Sequence, residues 1–186
     1  ERILTGDYCA SPDKARLLTT VARNEERLTE SFGKNTCSVY ISIPFCPTRC
    51  AYCSFVSYST KRLLSLIPEY VERICTDIER LGRTLSEIGQ KPSAVYIGGG
   101  TPTTLEPEQL RRLLSHIQET FDFTWVKEYT VEAGRPDSIT KEKLQVLRNH
   151  GINRISINPQ TMKEETLRLI GRQHTVQPTI DSFKLA

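Results

Sequence analysis

Short runs rich in β-branched residues alternate along this chain with longer stretches of helical periodicity, and that alternation limits the fold more than any other feature. Residues 38–43 read Ser-Val-Tyr-Ile-Ser-Ile, a strand pattern, and after them Leu64, Ile67, Val71, Ile74, Ile78, Leu81 and Leu85 step by threes and fours along one helix face. Residues 94–97 form the next strand pattern, followed by Leu110, Leu113, Leu114, Ile117 and Phe121 at helical spacing. A third unit pairs a strand over 126–131 with a helix beginning after Thr140, and a fourth pairs a strand over 154–157 with a helix over 164–170. Four βα repeats joined by short connections predict an α/β fold with a parallel sheet covered by helices, either doubly wound or part of a barrel.

Ahead of these repeats, Ser11-Pro12-Asp13 has the form of a helix start with proline in the first turn, and Leu17, Leu18, Val21 and Leu28 recur at helical spacing. The division expected is a helical lead-in over 1–36 and the α/β unit over 37–186. Residues 180–186 read as the opening of a further helix with no cap, and the chain begins with Glu1 rather than Met, so the expectation is a chain that stops within its fold. The composition, 38% hydrophobic over 186 residues, supports a core. The apolar runs are far shorter than the roughly 20 residues of a membrane span. With a net charge of +3 and no basic block, the sequence predicts no nucleic-acid binding.

Six cysteines are present, and three of them, Cys46, Cys50 and Cys53, crowd into a CX3CX2C run just past the first strand. Crowding favours a metal centre over a disulfide framework, and hence a reducing cytoplasm. Structural zinc asks for four Cys or His ligands, usually in two separated pairs, and no second pair follows here. The count favours an iron-sulfur cluster, in which three thiolates leave one iron of a 4Fe-4S cube open to a non-protein ligand. Packed thiols or a three-ligand zinc site are the alternatives. Cys9, Cys37 and Cys75 each stand alone and are expected to be buried small hydrophobes. His116 and His150 are expected on helix surfaces or ends, and Trp125 as core or rim packing.

Gly98-Gly99-Gly100-Thr101-Pro102 follows the second strand, Glu132 closes the third and Gln160 follows the fourth, as Cys46 follows the first. In a βα barrel the carboxyl ends of the strands make one rim, so these separate segments are expected to converge there. Glycines at such a place permit a positive φ or a close backbone approach, though a triple glycine is also compatible with a plain tight turn.

The cysteine spacing is that of radical S-adenosylmethionine enzymes. Together, Ile43-Pro44-Phe45-Cys46 through Cys53, Tyr96-Ile97-Gly98-Gly99-Gly100-Thr101-Pro102-Thr103 and Gly151-Ile152-Asn153-Arg154-Ile155-Ser156 resemble the oxygen-independent coproporphyrinogen III oxidase family and its haem-chaperone relatives, over residues 39–172. The stretch Thr130-Val131-Glu132-Ala133-Gly134-Arg135-Pro136-Asp137 is similar to a bacterial coproporphyrinogen dehydrogenase branch. The resemblance implies a partial (β/α) barrel, a 4Fe-4S cluster on Cys46, Cys50 and Cys53, and S-adenosylmethionine as second cofactor. It implies cofactor contacts at Tyr40 and Tyr52, at the loop of Gly99, Gly100 and Thr101 for the methionine amino group, at Glu132 for the methionine or ribose portion, and at Gln160 and Arg172.

The activity it implies is oxidative decarboxylation of porphyrinogen propionates to vinyls in haem biosynthesis, through a 5'-deoxyadenosyl radical. The implied partners are a porphyrinogen or haem and an external flavodoxin- or ferredoxin-like one-electron donor. Oxidases of the family often carry a further cysteine two residues after the third ligand, where this chain has Phe55, as the haem-chaperone relatives do. A haem-binding or haem-transfer protein that keeps the cluster is therefore the alternative.

Overall fold

The computed structural model describes residues 1–30 and 32–186, which form two compact units, Glu1–Thr36 and Cys37–Ala186. In the first, α1 (Arg2–Gly6) precedes α2 (Pro12–Glu30). The Ser11 carbonyl accepts the Ala15 N–H at 2.9 Å and its Oγ accepts the Lys14 N–H at 3.4 Å, while Pro12 has no N–H to leave unsatisfied. Leu17, Leu18, Val21 and Leu28 lie on this helix as their spacing predicts, yet they remain 43% to 63% exposed. Periodicity aligns a stripe but does not by itself bury it. Cys9, expected to be buried, is exposed at φ 52° in the connection between the helices.

The second unit alternates strand and helix. Strand β1 (Thr36–Ile43) leads through α3 (Lys61–Leu64) and α4 (Ile67–Glu87) to β2 (Lys91–Gly99), then α5 (Pro107–Thr120), β3 (Glu128–Glu132), α6 (Lys141–Asn149), β4 (Arg154–Ser156), α7 (Glu164–Leu169) and α8 (Val176–Leu185). The single helix face read from Leu64 onward is divided in two. Pro68 lacks an N–H and its ring would strike the carbonyl of Leu64, four residues back, so a helix cannot run through it and α4 starts afresh.

The strands lie in the order β1-β2-β3-β4. Strands β2 and β3 are parallel with Ala94 opposite Glu128, and β3 and β4 are parallel with Thr130 opposite Arg154. At one end of the β1–β2 pair Ser93 Oγ donates to the Cys37 carbonyl at 3.2 Å, and at the other the Gly100 N–H donates to the Ile43 carbonyl at 2.9 Å, so these strands also run the same way. Right-handed crossovers between strands taken in unbroken order leave every helix on one face. In agreement, α4 packs on α5 and α5 on α6. A doubly wound sheet reverses its strand order at a switch point; this one does not, so the structure selects the partial barrel.

Side chains alternate across the sheet. Val39, Ile41, Ile43, Val95, Ile97, Tyr129 and Val131 join Val71, Cys75 and Ile78 of α4, Leu110, Leu113, Leu114 and Ile117 of α5 and Val146 and Leu147 of α6 in one core. His116 joins them, contrary to the expectation of a surface position. It shares the α5 stripe with Leu113 and Ile117, is buried, and reaches the Cys75 carbonyl through Nε2 at 3.0 Å. Trp125 is half-exposed, with the Lys91 ammonium 4.2 Å above its ring. The sheet's other face carries Tyr40, Tyr96 and Glu132, and this polar, aromatic face is the one on which a site can form. Among the described residues no helix is long and apolar enough to cross a membrane.

Leu113 is 0% exposed at the centre of the helix layer. Leu113→Ala is expected to cost about 2–5 kcal/mol of stability, read as a lower urea midpoint, whereas Leu17→Ala on the exposed stripe should change it by less than about 0.5 kcal/mol.

Candidate radical S-adenosylmethionine site

At the carboxyl end of β1 the chain is anchored before it reaches the cysteines. Phe45 is buried, with the Tyr70 ring edge-on at 5.2 Å. The Cys46 N–H donates to the Tyr58 carbonyl at 3.0 Å and the Tyr58 N–H to the Pro44 carbonyl at 2.7 Å, closing the cysteine segment into a loop. The glycine loop is sewn onto the same anchor. Gly100 and Thr101 donate to the carbonyls of Ile43 and Phe45 at 2.9 and 2.8 Å, and Thr101 Oγ1 lies 3.3 Å from Cys46 Sγ.

The need for glycine here is steric. Gly99 has φ +111°, and a Cβ on it would come within 2.7 Å of Ser42 Oγ; one on Gly100 would come within 2.7 Å of the Phe45 carbonyl oxygen and 3.0 Å of Cys46 Sγ. The ends of β1 and β2 therefore meet backbone to backbone. On its far side the cysteine loop is held by the Ala51 N–H, which donates to the Ile170 carbonyl at 3.0 Å, just before Arg172.

A cavity of about 210 Å³ opens at this place. Cys46, Cys50 and Cys53 line it, and so do Tyr40, Tyr52, Gly99, Gly100, Thr101, Glu132, Gln160 and Arg172. The strand-end segments expected to converge thus share one surface. Glu132 accepts a 2.6 Å hydrogen bond from the Tyr96 hydroxyl, and the Tyr96 ring stacks on Tyr40 at 5.8 Å. Burial, then the bond to Glu132 and that carboxylate's charge, push the Tyr96 phenol up to about 12. Tyr40 is raised as well, by burial and then by Glu132. Gln160 sits at φ 63°. Arg172 is buried, unlike a solvated helix-end cation; it donates to the Gly134 carbonyl at 3.4 Å and the Tyr52 hydroxyl at 3.3 Å, and its Nε has no partner.

The three cysteines are free thiols. Burial pushes the Cys46 thiol up; the Thr101 hydrogen bond and the Arg135 charge pull it down, and the charges of Cys53 and Cys50 push it up again. All three thiols line one cavity. Among the described residues, however, no group of three or more His, Cys, Asp or Glu side chains is gathered tightly enough to hold one metal ion. A 4Fe-4S cube asks its thiolates to reach different irons, and three free thiols lining one cavity are a donor set that fits such a cluster.

Arg135 is a site residue that the sequence does not mark. It lines the cavity at 2% exposure, pairs with Asp137 through Nε and one terminal nitrogen at 3.0 and 2.8 Å, donates to the Thr48 carbonyl at 3.1 Å and reaches Cys50 Sγ at 3.9 Å. Its position three residues after Glu132, past a strand end on the rim, was the available signal. Ser57 and Asn158 also line the cavity. His174 is buried nearby in sequence with both ring nitrogens unpartnered; burial lowers its pKa against the opposing pull of Asp137.

Fold and cysteine loop together define a radical S-adenosylmethionine domain. The family model described as the radical SAM superfamily matches residues 40–186, and the chain belongs to that superfamily. It is 44% identical, over 98% of its length, to a Bacillus subtilis protein named oxygen-independent coproporphyrinogen-III oxidase-like protein HemZ, and 36% identical, over 80%, to the heme chaperone HemW of the same organism. It spans 37% and 38% of the lengths of these relatives. Among solved structures, the coproporphyrinogen III oxidase HemN of Escherichia coli, described as a radical SAM enzyme, superposes with a TM-score of 0.71 at 28% identity, covering 80% of this chain and 33% of that one.

Two outcomes test this geometry. Gly100→Ala should destabilise the fold by about 1–3 kcal/mol, because backbone atoms block the added methyl, seen as an earlier thermal transition. The raised Tyr96 phenol means that the fold favours the neutral form, so its contribution is present below the ordinary value of 10.0 and is lost as pH rises toward about 12. Absorbance of the phenolates should show one late-ionising group fewer in Tyr96→Phe.

Proposed function

We propose that this chain carries the cluster- and cofactor-binding part of a radical S-adenosylmethionine enzyme of the coproporphyrinogen-dehydrogenase-like kind. It would hold a 4Fe-4S cluster on Cys46, Cys50 and Cys53 and act on porphyrinogen propionates with electrons from a flavodoxin- or ferredoxin-like donor. The observation that carries this reading is the shared cavity, at which three free thiols meet the glycine loop, Glu132 and Arg172 at the carboxyl ends of parallel strands.

When bound, the cluster with S-adenosylmethionine supplies reductive cleavage of the sulfonium and so the means to abstract hydrogen from an unactivated carbon. The chain's own groups bind and orient. The backbone at Gly99, Gly100 and Thr101, held against β1 by the two glycines, lines the cavity and suits a methionine amino group. Arg172, buried with its Nε unpartnered, suits a carboxylate. Glu132, steadied by Tyr96, suits the donors of an amino group or a ribose, and Tyr40, Tyr52 and Gln160 complete the contact surface. Thiolate ligands require cysteines kept reduced, which fits a cytoplasmic setting.

A second reading has its own observation. Phe55, where oxidases of the family often carry a cysteine, is an exposed apolar ring at the lip of the cavity. A haem-binding or haem-transfer protein that retains the cluster suits such a lip.

Anaerobic reconstitution of the full-length protein with iron and sulfide, then dithionite and S-adenosylmethionine, should release 5'-deoxyadenosine, and Cys50→Ala should abolish the release. Unchanged release in that variant would sink the cluster assignment. With coproporphyrinogen III added, mass spectrometry of vinyl products supports the oxidase; stoichiometric haem binding without turnover selects the second reading.

A further inference from the structure

We infer that Arg135 and Asp137 form a charge couple that sets the reduction potential of the cluster, Arg135 acting on the Cys50 sulfur and Asp137 both orienting Arg135 and offsetting its charge. This rests on the proposed reading that Cys46, Cys50 and Cys53 ligate an iron-sulfur cluster.

The guanidinium is held on every side that can be traced. Nε and one terminal nitrogen are taken by the two Asp137 oxygens, at 3.0 and 2.8 Å. The other terminal nitrogen has two hydrogens to give: it lies 3.1 Å from the Thr48 carbonyl and 3.9 Å from Cys50 Sγ. The backbone is fixed too, since the Arg135 carbonyl accepts both the N–H and the hydroxyl of Ser138, at 3.0 and 2.8 Å, and Pro136 restricts the turn between them. Such a fork cannot swing into solvent to relieve its charge.

A buried ion pair is a poor stabiliser, because desolvation takes back most of what attraction provides. What this pair does have is position. Charge near an iron-sulfur cluster and hydrogen bonds to its sulfurs are two of the means by which a protein tunes the potential. Reduction adds one electron, and so one negative charge, to the centre. A cation beside Cys50 favours the reduced form, and the Asp137 carboxylate, one step further out, opposes it. An arginine is not deprotonated in a protein, so the buried group remains a cation. Thr48, between Cys46 and Cys50 in the loop, ties the same guanidinium to the ligand segment, so the couple also fixes where the Cys50 sulfur sits.

The two halves of the couple predict opposite signs. In the full-length protein, reconstituted anaerobically and poised at known potentials against a dithionite-reduced mediator series, the reduced-cluster EPR signal gives the midpoint. Arg135→Gln should favour the oxidised form by roughly tenfold, about 59 mV more negative for one electron. Asp137→Asn should move the midpoint the other way, and Arg135→Lys, which keeps the charge but not the fork, should fall between wild type and Arg135→Gln. A residue that merely braces the loop would lower iron and sulfide content in both variants without shifts of opposite sign. Midpoints unmoved, or moved in one direction, at full iron content overturn the inference while leaving the cluster reading intact. If Arg135→Gln holds no iron, Asp137→Asn and Arg135→Lys decide by the same criterion. Wild-type protein that takes up no cluster overturns both.

Discussion

The parallel pairing of the β1 and β2 ends is the contact on which the rest of the site depends. Two backbone hydrogen bonds, from Gly100 to Ile43 and from Thr101 to Phe45, register the glycine loop against the residues that lead into Cys46. They form only because Gly99 and Gly100 present no Cβ to the opposing backbone. On the proposed reading the cluster and the cofactor's amino-acid end lie side by side, and the adjacency of the two loops that would hold them is a property of sheet register rather than of side-chain reach. Behind it, Phe45 and Ile43 sink into the helix-side core, so the cysteine segment starts from a fixed point.

The two faces of the sheet divide the work. One is sealed by α4, α5 and α6 and carries the stability; the other carries Tyr40, Tyr96 and Glu132, joined by stacking and one short hydrogen bond. Putting a carboxylate at the end of β3 and steadying it from β2 makes its position depend on the same parallel register that aligns the loops. Arg172, Arg135 and Gln160 come from connections further along the chain, so the cavity gathers groups from all four βα units while only a few backbone contacts hold it.

Much of the site was legible in order, because the chemistry sits at strand ends and strand ends are marked by composition. A β-branched run followed by Cys, Gly or Glu is readable, and the rule that barrel strands present their carboxyl ends together converts four positions into one place. Single side chains were read less well. His116 looked like a surface residue because it is polar, yet it sits on the apolar stripe between Leu113 and Ile117; Cys9 looked buried because cysteine usually is, yet it is exposed in a helix–helix connection. Arg135 was hidden in a Gly-Arg-Pro-Asp turn, where a charged residue ordinarily faces water.

The amino-acid sequence by itself determined the alternation of strand and helix, the spacing of three thiols that suits a cluster, and membership of a radical S-adenosylmethionine fold, since local periodicity and short-range spacing are properties a linear chain carries. Tertiary structure alone decided the unbroken strand order that makes the sheet barrel-like, and the burial of Arg135 beside Cys50 and of Arg172 beside Tyr52. Those outcomes turn on which distant segments meet. A charge in sequence has a sign, but its effect depends on the dielectric around it and on the sulfur or carboxylate that the fold brings within a few ångströms.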